Sequence, residues 1–193
     1  MAIGDCNDSV QKVQETAAEL YQLAALMLGD EGEAVSLVES TVADVDVDPC
    51  ASEATAVDTA RHHLVEAAVA RMNDAEPGAF AAPAIAEAPA VCIEDDDLSA
   101  AGISAAQIAD ILKGAGSGDQ LRNWLNQLST AQRAIFVQRA VLGWNNDATA
   151  ASLANGSGTK PAWSAAQVSE TFRQALCSLA NLLVHAEAEK VTA

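Results

Sequence analysis

Apolar side chains recur at helical spacing along most of this chain. Between 164 and 183, Val168, Phe172, Leu176, Leu179 and Leu183 follow at steps of four, four, three and four, which places them on one helical stripe. Near the start, Val13, Ala17, Leu20, Tyr21, Ala24 and Leu28 form a similar stripe, and Gly29-Asp30 ends it. Ala34, Leu37, Val38, Thr41, Val42 and Val45 predict a second helix from about Glu33, with Pro49 beyond its end. A third is predicted from Ser52 to Met72, with Val57, Ala60, Leu64, Ala68 and Met72 on one face. Three amphipathic helices joined by short links suit a small bundle.

The stretch 128–183 carries the clearest start and stop signals. Ser129-Thr130-Ala131-Gln132 and Ser164-Ala165-Ala166-Gln167 both fit the capping box, in which Ser and Gln side chains satisfy backbone N–H groups that the first helical turn leaves unpaired. Gly143 ends the first of these helices. Composition places a short helix over Asp147 to Ala154, and the three together predict a helix-turn-helix head. Between the two ends of the chain, Pro77, Gly78, Pro83 and Pro89 exclude a continuous helix from Asn73 to Ala90. That segment reads as an extended linker packed through Phe80 and Ile85. A third capping box, Ser104 to Gln107, opens a short helix with Ile108, Ile111 and Leu112 on its apolar side and Gly114 at its end. Gly116-Ser117-Gly118 then makes a joint.

Composition agrees with this pattern. Half of the 193 residues are apolar, but alanine is by far the commonest of these, so the cores are thin and helical. β-Branched alternation is scarce, and the chain is expected to be all-α. The resulting architecture is an N-terminal three-helix bundle at 1–72, an Ala/Pro-rich acidic linker with a short helix at 73–118, and a C-terminal helix-turn-helix domain at 119–193.

Charge changes the functional picture more than the fold. The formal net charge of −17 falls almost wholly on the first 118 residues. The C-terminal part holds Arg122, Arg133, Arg139, Lys160, Arg173 and Lys190 against a nearly equal number of acids. Proteins that grip duplex DNA commonly spend about 6–10 cationic phosphate contacts, and these six bases are spread over every face. Strong acidity elsewhere suits a basic protein partner or a solvated surface. The run Glu94-Asp95-Asp96-Asp97 lacks EF-hand spacing and reads as a solvated loop.

Cys6, Cys50, Cys92 and Cys177 show no CxxC spacing, so neither a zinc site nor a redox pair is expected, and the thiols are expected to be reduced. His62 and Glu66 could share a helical face, but no third ligand accompanies them, so no metal is expected. No catalytic constellation or cofactor motif is present in the sequence, and an enzyme is not expected. No run of about 18 apolar residues occurs and no signal-like segment opens the chain. A soluble cytoplasmic protein is expected.

The segment LSTAQRAIFVQRAVLGW, followed by a small-residue helix and a Ser-started helix, resembles the promoter-binding domain of bacterial RNA polymerase sigma factors of the extracytoplasmic-function group. Leu128, Gln132, Arg133, Ile135, Phe136, Arg139, Gly143, Ala150, Leu153, Ser164 and Val168 carry the match. LYQLAALMLGDEGEAVSLVESTVADV is similar to the same family's core-binding domain, through Leu20, Tyr21, Leu28, Gly29, Asp30, Ala34, Leu37, Val38 and Thr41. The resemblance implies that Glu39, with Glu31 and Glu33, meets a basic coiled coil of the polymerase β′ subunit. It also implies that Arg173, Gln167, Ser169 and Gln174 face promoter DNA, with Lys160 and Trp163 at the entrance of the helix. The helix around Ala60-Arg61 resembles the segment that opens the −10 element.

The departures are as informative as the matches. The family's last helix is rich in Lys and Arg, whereas this one offers Arg173. Asn155 to Ala162 enlarges the turn. No aromatic residue follows Arg61 to stack on a flipped base. Two function classes therefore stay open: a sigma-like transcription initiation protein that binds core polymerase and promoter DNA, and a sigma mimic that acts by protein–protein interaction, for example with an anti-sigma factor.

Overall fold

The computed structural model describes residues 4–44, 53–83, 118–160 and 162–191, with side-chain surroundings described for 14–43, 56–83, 122–160 and 162–179. Among the described residues it is all-helical, without a strand. The helices are α1 (Gly4–Leu28), α2 (Glu31–Asp44), α3 (Glu53–Ala75), α4 (Gly118–Leu125), α5 (Thr130–Phe136), α6 (Asn146–Ser157) and α7 (Ala165–Val191), with a π-turn at Val137–Val141 after α5. None of the described helices is long and apolar enough to cross a membrane. The short helix expected at 104–114, the acidic run 94–97 and the Ile85 contact fall outside the described residues.

Turn chemistry sets the α1–α2 corner. Gly29 takes φ +75°, a left-handed conformation that glycine adopts without a Cβ clash. Asp30 then accepts a hydrogen bond from the Glu33 N–H at 2.8 Å, which caps α2. Leu20, Leu23, Ala24 and Met27 of α1 are buried, as are Ala34, Leu37 and Thr41 of α2. The expected α2 stripe holds through Thr41 but not at Val42, which is 45% exposed. Val42 lies on the outer side of the helix, whereas the Thr41 hydroxyl turns inward and donates to the Leu37 carbonyl at 2.8 Å.

The central element is α3. Ala60, Leu64, Ala68 and Met72 are buried as expected, and Val65 and Val69 beside them are buried too. Two adjacent faces are covered, because α3 packs on α1 and α2 on one side and on α6 on the other. The α3–α6 approach is close. A Cβ added at Gly156 would stand 2.6 Å from the Glu66 carbonyl oxygen and 2.7 Å from Val69 Cβ. Glycine is what lets these two backbones meet. The two ends of the chain thus share one hydrophobic core.

Both Ser–Gln capping boxes within the described residues form. Ser129 and Gln132 exchange hydrogen bonds at the start of α5. Ser164 and Gln167 do so at the start of α7. The helix that Gly143 ends opens into the π-turn, closed by the Leu142 N–H on the Val137 carbonyl at 3.2 Å. Asn145 caps α6 through its side chain, and Gly158 ends it at φ +62°. The enlarged turn expected from Asn155 is therefore helical through Ser157, because the left-handed residue comes later, at Gly158.

Large side chains join the C-terminal helices. Trp124 meets Phe136 edge-on at 4.8 Å, and Phe136 lies 5.9 Å from Phe172. Trp163 is buried, and its indole N–H donates to the Phe80 carbonyl at 2.7 Å. Phe80 is itself fully buried, so the start of the linker packs as its sequence suggests. Trp144 is only half-buried and stacks on His62 of α3, ring centroids 4.1 Å apart.

Candidate functional site

Two helix faces hold the residues singled out from the sequence. The first is the outer face of α7. Its N-terminal turn is positioned by the Ser164 cap and by Trp163, and its buried side by Val168, Phe172, Ala175 and Leu176. Gln167, Glu170 and Gln174 recur at steps of three and four on the other side, with Arg173 next to them.

These groups are already engaged with one another. The Arg173 guanidinium donates to Glu170 through Nε at 3.0 Å and Nη2 at 2.7 Å. The Arg173 side chain is only 13% exposed and that of Glu170 26%. Gln174 Nε2 donates to the same carboxylate at 2.9 Å. The hydrogen bond from Arg173 holds the Glu170 carboxyl below the usual carboxylate range; partial burial opposes this shift, and Gln174 reinforces it. Gln167 gives its amide to the Pro83 carbonyl at 2.7 Å while its oxygen serves the Ser164 cap. Ser169 is half-buried and Lys160 is exposed, beyond Gly158 and off the helix. Arg173 and Gln174 are thus brought together around a carboxylate, while Gln167 is engaged with Pro83 and Ser164.

The second face is on α2. At ~100° per residue, Glu31, Val35, Val38, Glu39 and Val42 fall on one side, and Glu33 on the other. Glu39 is exposed. Val35 and Val42, each 45% exposed, are the exposed large hydrophobics among the described residues. Glu31 pairs with Arg122 of α4 at 2.9 Å. Glu33 lends its backbone carbonyl to Arg71 at 3.1 Å. The expected acidic trio is therefore split. Glu39 stands in an exposed valine stripe, Glu31 lies at its edge in an ion pair, and Glu33 lies elsewhere.

Arg61 and His62 of α3 have partners within the chain. Arg61 pairs with Glu19 at 2.6 Å, and His62 lies 3.8 Å from Asp58 as well as against Trp144. Glu66 accepts from Asn155 at 2.8 Å rather than acting with His62.

Arg133 links the two ends of the chain. It donates to the Leu125 carbonyl at 2.9 Å and to the Leu28 carbonyl at 3.2 Å. A cation thus stands at the C-terminal ends of α4 and α1, where helix dipoles favour it. Burial pushes its pKa below the ordinary value. A Cβ at Gly29 would stand 2.6 Å from this guanidinium, so the glycine also makes room for it.

Sequence reasoning overlooked Glu170, although a carboxylate three residues before an arginine is a legible helical pair. It also took Val42 for core. Comparison with protein-family models, with curated proteins and with solved structures found no match.

Proposed function

We propose that this chain is a sigma-like interaction protein that acts in the cytoplasm through a protein partner and does not read duplex DNA. On this reading α1–α3 form the core-binding bundle within 1–72. Residues 73–118 link it to a helix-turn-helix head at 119–193, made by α5, α6 and α7. The partner surface is α2, through Glu39 and the valine stripe. Core RNA polymerase, through its β′ subunit, is the first partner to test, and an anti-sigma factor the second. The proposal assigns no catalysis and no cofactor.

The observation that carries it is the Glu170–Arg173 pair. The one arginine of the outer face of α7 is held by two hydrogen bonds to a carboxylate. A phosphate reached by the remaining N–H groups of this guanidinium would stand beside the Glu170 carboxylate, an arrangement that like charge disfavours. The internal pairing of Arg61 and the packing of α3 on α6 support the same reading, since a helix covered on two sides has little surface left for melting a promoter.

A working promoter-binding sigma-like factor is the second reading. Exposed Lys160 ahead of α7 favours it. Capture of the purified chain by core RNA polymerase at about 150 mM salt, with duplex promoter DNA added, separates the two. Polymerase without DNA supports the first reading, and polymerase with specific DNA overturns it. Capture of neither moves the search to an anti-sigma factor.

A further inference from the structure

A small cavity opens where the C-terminal ends of α1 and α4 meet the start of α2. Its volume is about 50 Å³. That is about four times what one water needs, room for the tip of one side chain. Ala25, Leu26 and Leu125 give it apolar lining, and Glu31, Arg122 and Asn126 give it polar lining.

The corner attracts cations. Two helices end on it, and the carbonyl ends of helices favour positive charge. The chain itself supplies two arginines. Arg133 is fixed on the Leu28 and Leu125 carbonyls. Gly29, also in the lining, leaves space for it, since a Cβ there would stand 2.6 Å from its guanidinium and 2.7 Å from Asn126 Oδ1. Arg122 is held differently. Its Nη1 donates to Glu31 at 2.9 Å, and the two side chains are 53% and 67% exposed. An ion pair in that much water is weak and exchanges readily.

The walls are firm on both sides. Leu23, Ala24 and Met27 fix the end of α1 in the core. On α4, Trp124 is buried and its indole donates to Ser178 of α7 at 3.2 Å. The neighbouring Cys177 is disulfide-bonded, where reduced thiols were expected. Glu31 joins this preformed cavity to the outer face of α2, four residues before Val35 on the same side. Asp30 and Glu33 are exposed beside it, so the rim favours a base over an acid.

We propose that the cavity receives a lysine or arginine side chain of the protein that covers α2, and that Arg122 is its internal competitor. The apolar lining takes the stem of that side chain, while Glu31 and the two helix ends take its charged head. Arg122 gives up Glu31 and turns to water when the partner docks. The inference rests on the reading of α2 as the partner surface, and it adds the kind of group that anchors the partner and the residue that holds its place beforehand.

The test titrates the isotope-labelled full chain with N-acetylarginine amide, a guanidinium on an apolar stem, at about 50 mM salt, where surface charge is little screened. N-acetylcitrulline amide, its uncharged isostere, is the control. The amide resonances of Gly29, Glu31 and Asn126 should shift saturably with the first compound and not with the second. Arg122→Ala should tighten binding about two- to fivefold, and Glu31→Gln should weaken it about as much. Both positions are exposed, so both variants should keep the parent's Tm. Shifts spread evenly over the acidic surface, or an affinity that Arg122→Ala leaves unchanged or lowers, would overturn the proposal. The probe is read without polymerase, so the two failures are told apart: the expected pattern supports the site even where polymerase is not captured.

Discussion

The outer faces of α2 and α7 differ in what they leave unspent. On α7 the polar groups are consumed internally: Arg173 and Gln174 by Glu170, Gln167 by Pro83 and the Ser164 cap. On α2 the valines at 35 and 42 stay in water, and Glu39 stands exposed between them. An exposed apolar stripe costs solubility and marks a surface that gains by being covered. A helix whose cation is already paired gains little from an anion. Two helices that the resemblance gives binding roles, α2 toward a protein and α7 toward DNA, therefore have opposite binding potential. The difference comes from single positions, Val42, exposed where burial was expected, and Glu170, whose carboxylate holds the Arg173 expected to face DNA.

The comparison depends on both faces being held by one core, and the strongest way to break it is at the α3–α6 crossing. Gly156→Val should cost more than about 3 kcal/mol, because its Cβ meets backbone and the Val69 side chain at once. Thermal or urea unfolding checks this, and a variant as stable as the parent would contradict the packing. Phe172→Ala removes the ring on which α7 rests against Phe136. It should cost about 3–5 kcal/mol by the same measurement. Arg133→Met should cost about 1.5–3 kcal/mol, since two carbonyls lose a charged donor.

Smaller changes sharpen the contrast without disturbing the fold. Val42→Asp with Glu39→Lys should leave stability within about 0.5 kcal/mol, as surface substitutions do, while weakening capture by a protein partner at least tenfold. Glu170→Gln should leave duplex binding weak at about 150 mM salt but raise it at low salt, with a slope near one phosphate contact. The pH dependence of the pair has a definite sign. The folded-state pKa of Glu170 is depressed, so its contribution is present above the unfolded carboxylate value of about 4.3 and is lost as pH falls through the lower folded value. For a partly exposed pair this amounts to about 0.5 kcal/mol. Glu170→Gln should erase that part of the acid-side slope in a pH series of unfolding curves.

Much of the fold was legible because local signals agreed with the packing. The Ser129 and Ser164 boxes, Gly29-Asp30 and the step-by-step spacing of the α7 stripe each act within about one helical turn, and that is the range a sequence reports directly. What escaped arises across the chain. Val65 and Val69 look like a second apolar face of α3, and only the arrival of α6 explains it. Gly156 reads as turn residue in a run of small polar residues, yet it lies inside a helix because α3 needs the space. Arg133 reads as one more surface base until its two carbonyl partners, Leu28 and Leu125, far apart in sequence, are seen together. At the candidate faces, residue type could be read but occupancy could not. Nothing before the structure tied Gln167 to Pro83 or Glu33 to Arg71.

The most direct test of the account compares the two faces in one experiment. The parent chain, Val42→Asp with Glu39→Lys, and Arg173→Ala are each presented to core RNA polymerase and to duplex promoter DNA at about 150 mM salt. The account predicts that the parent and Arg173→Ala capture polymerase equally, that the α2 variant does not, and that none of them retains DNA. Retention of specific DNA by the parent, lost in Arg173→Ala while the α2 variant still captures polymerase, would contradict it.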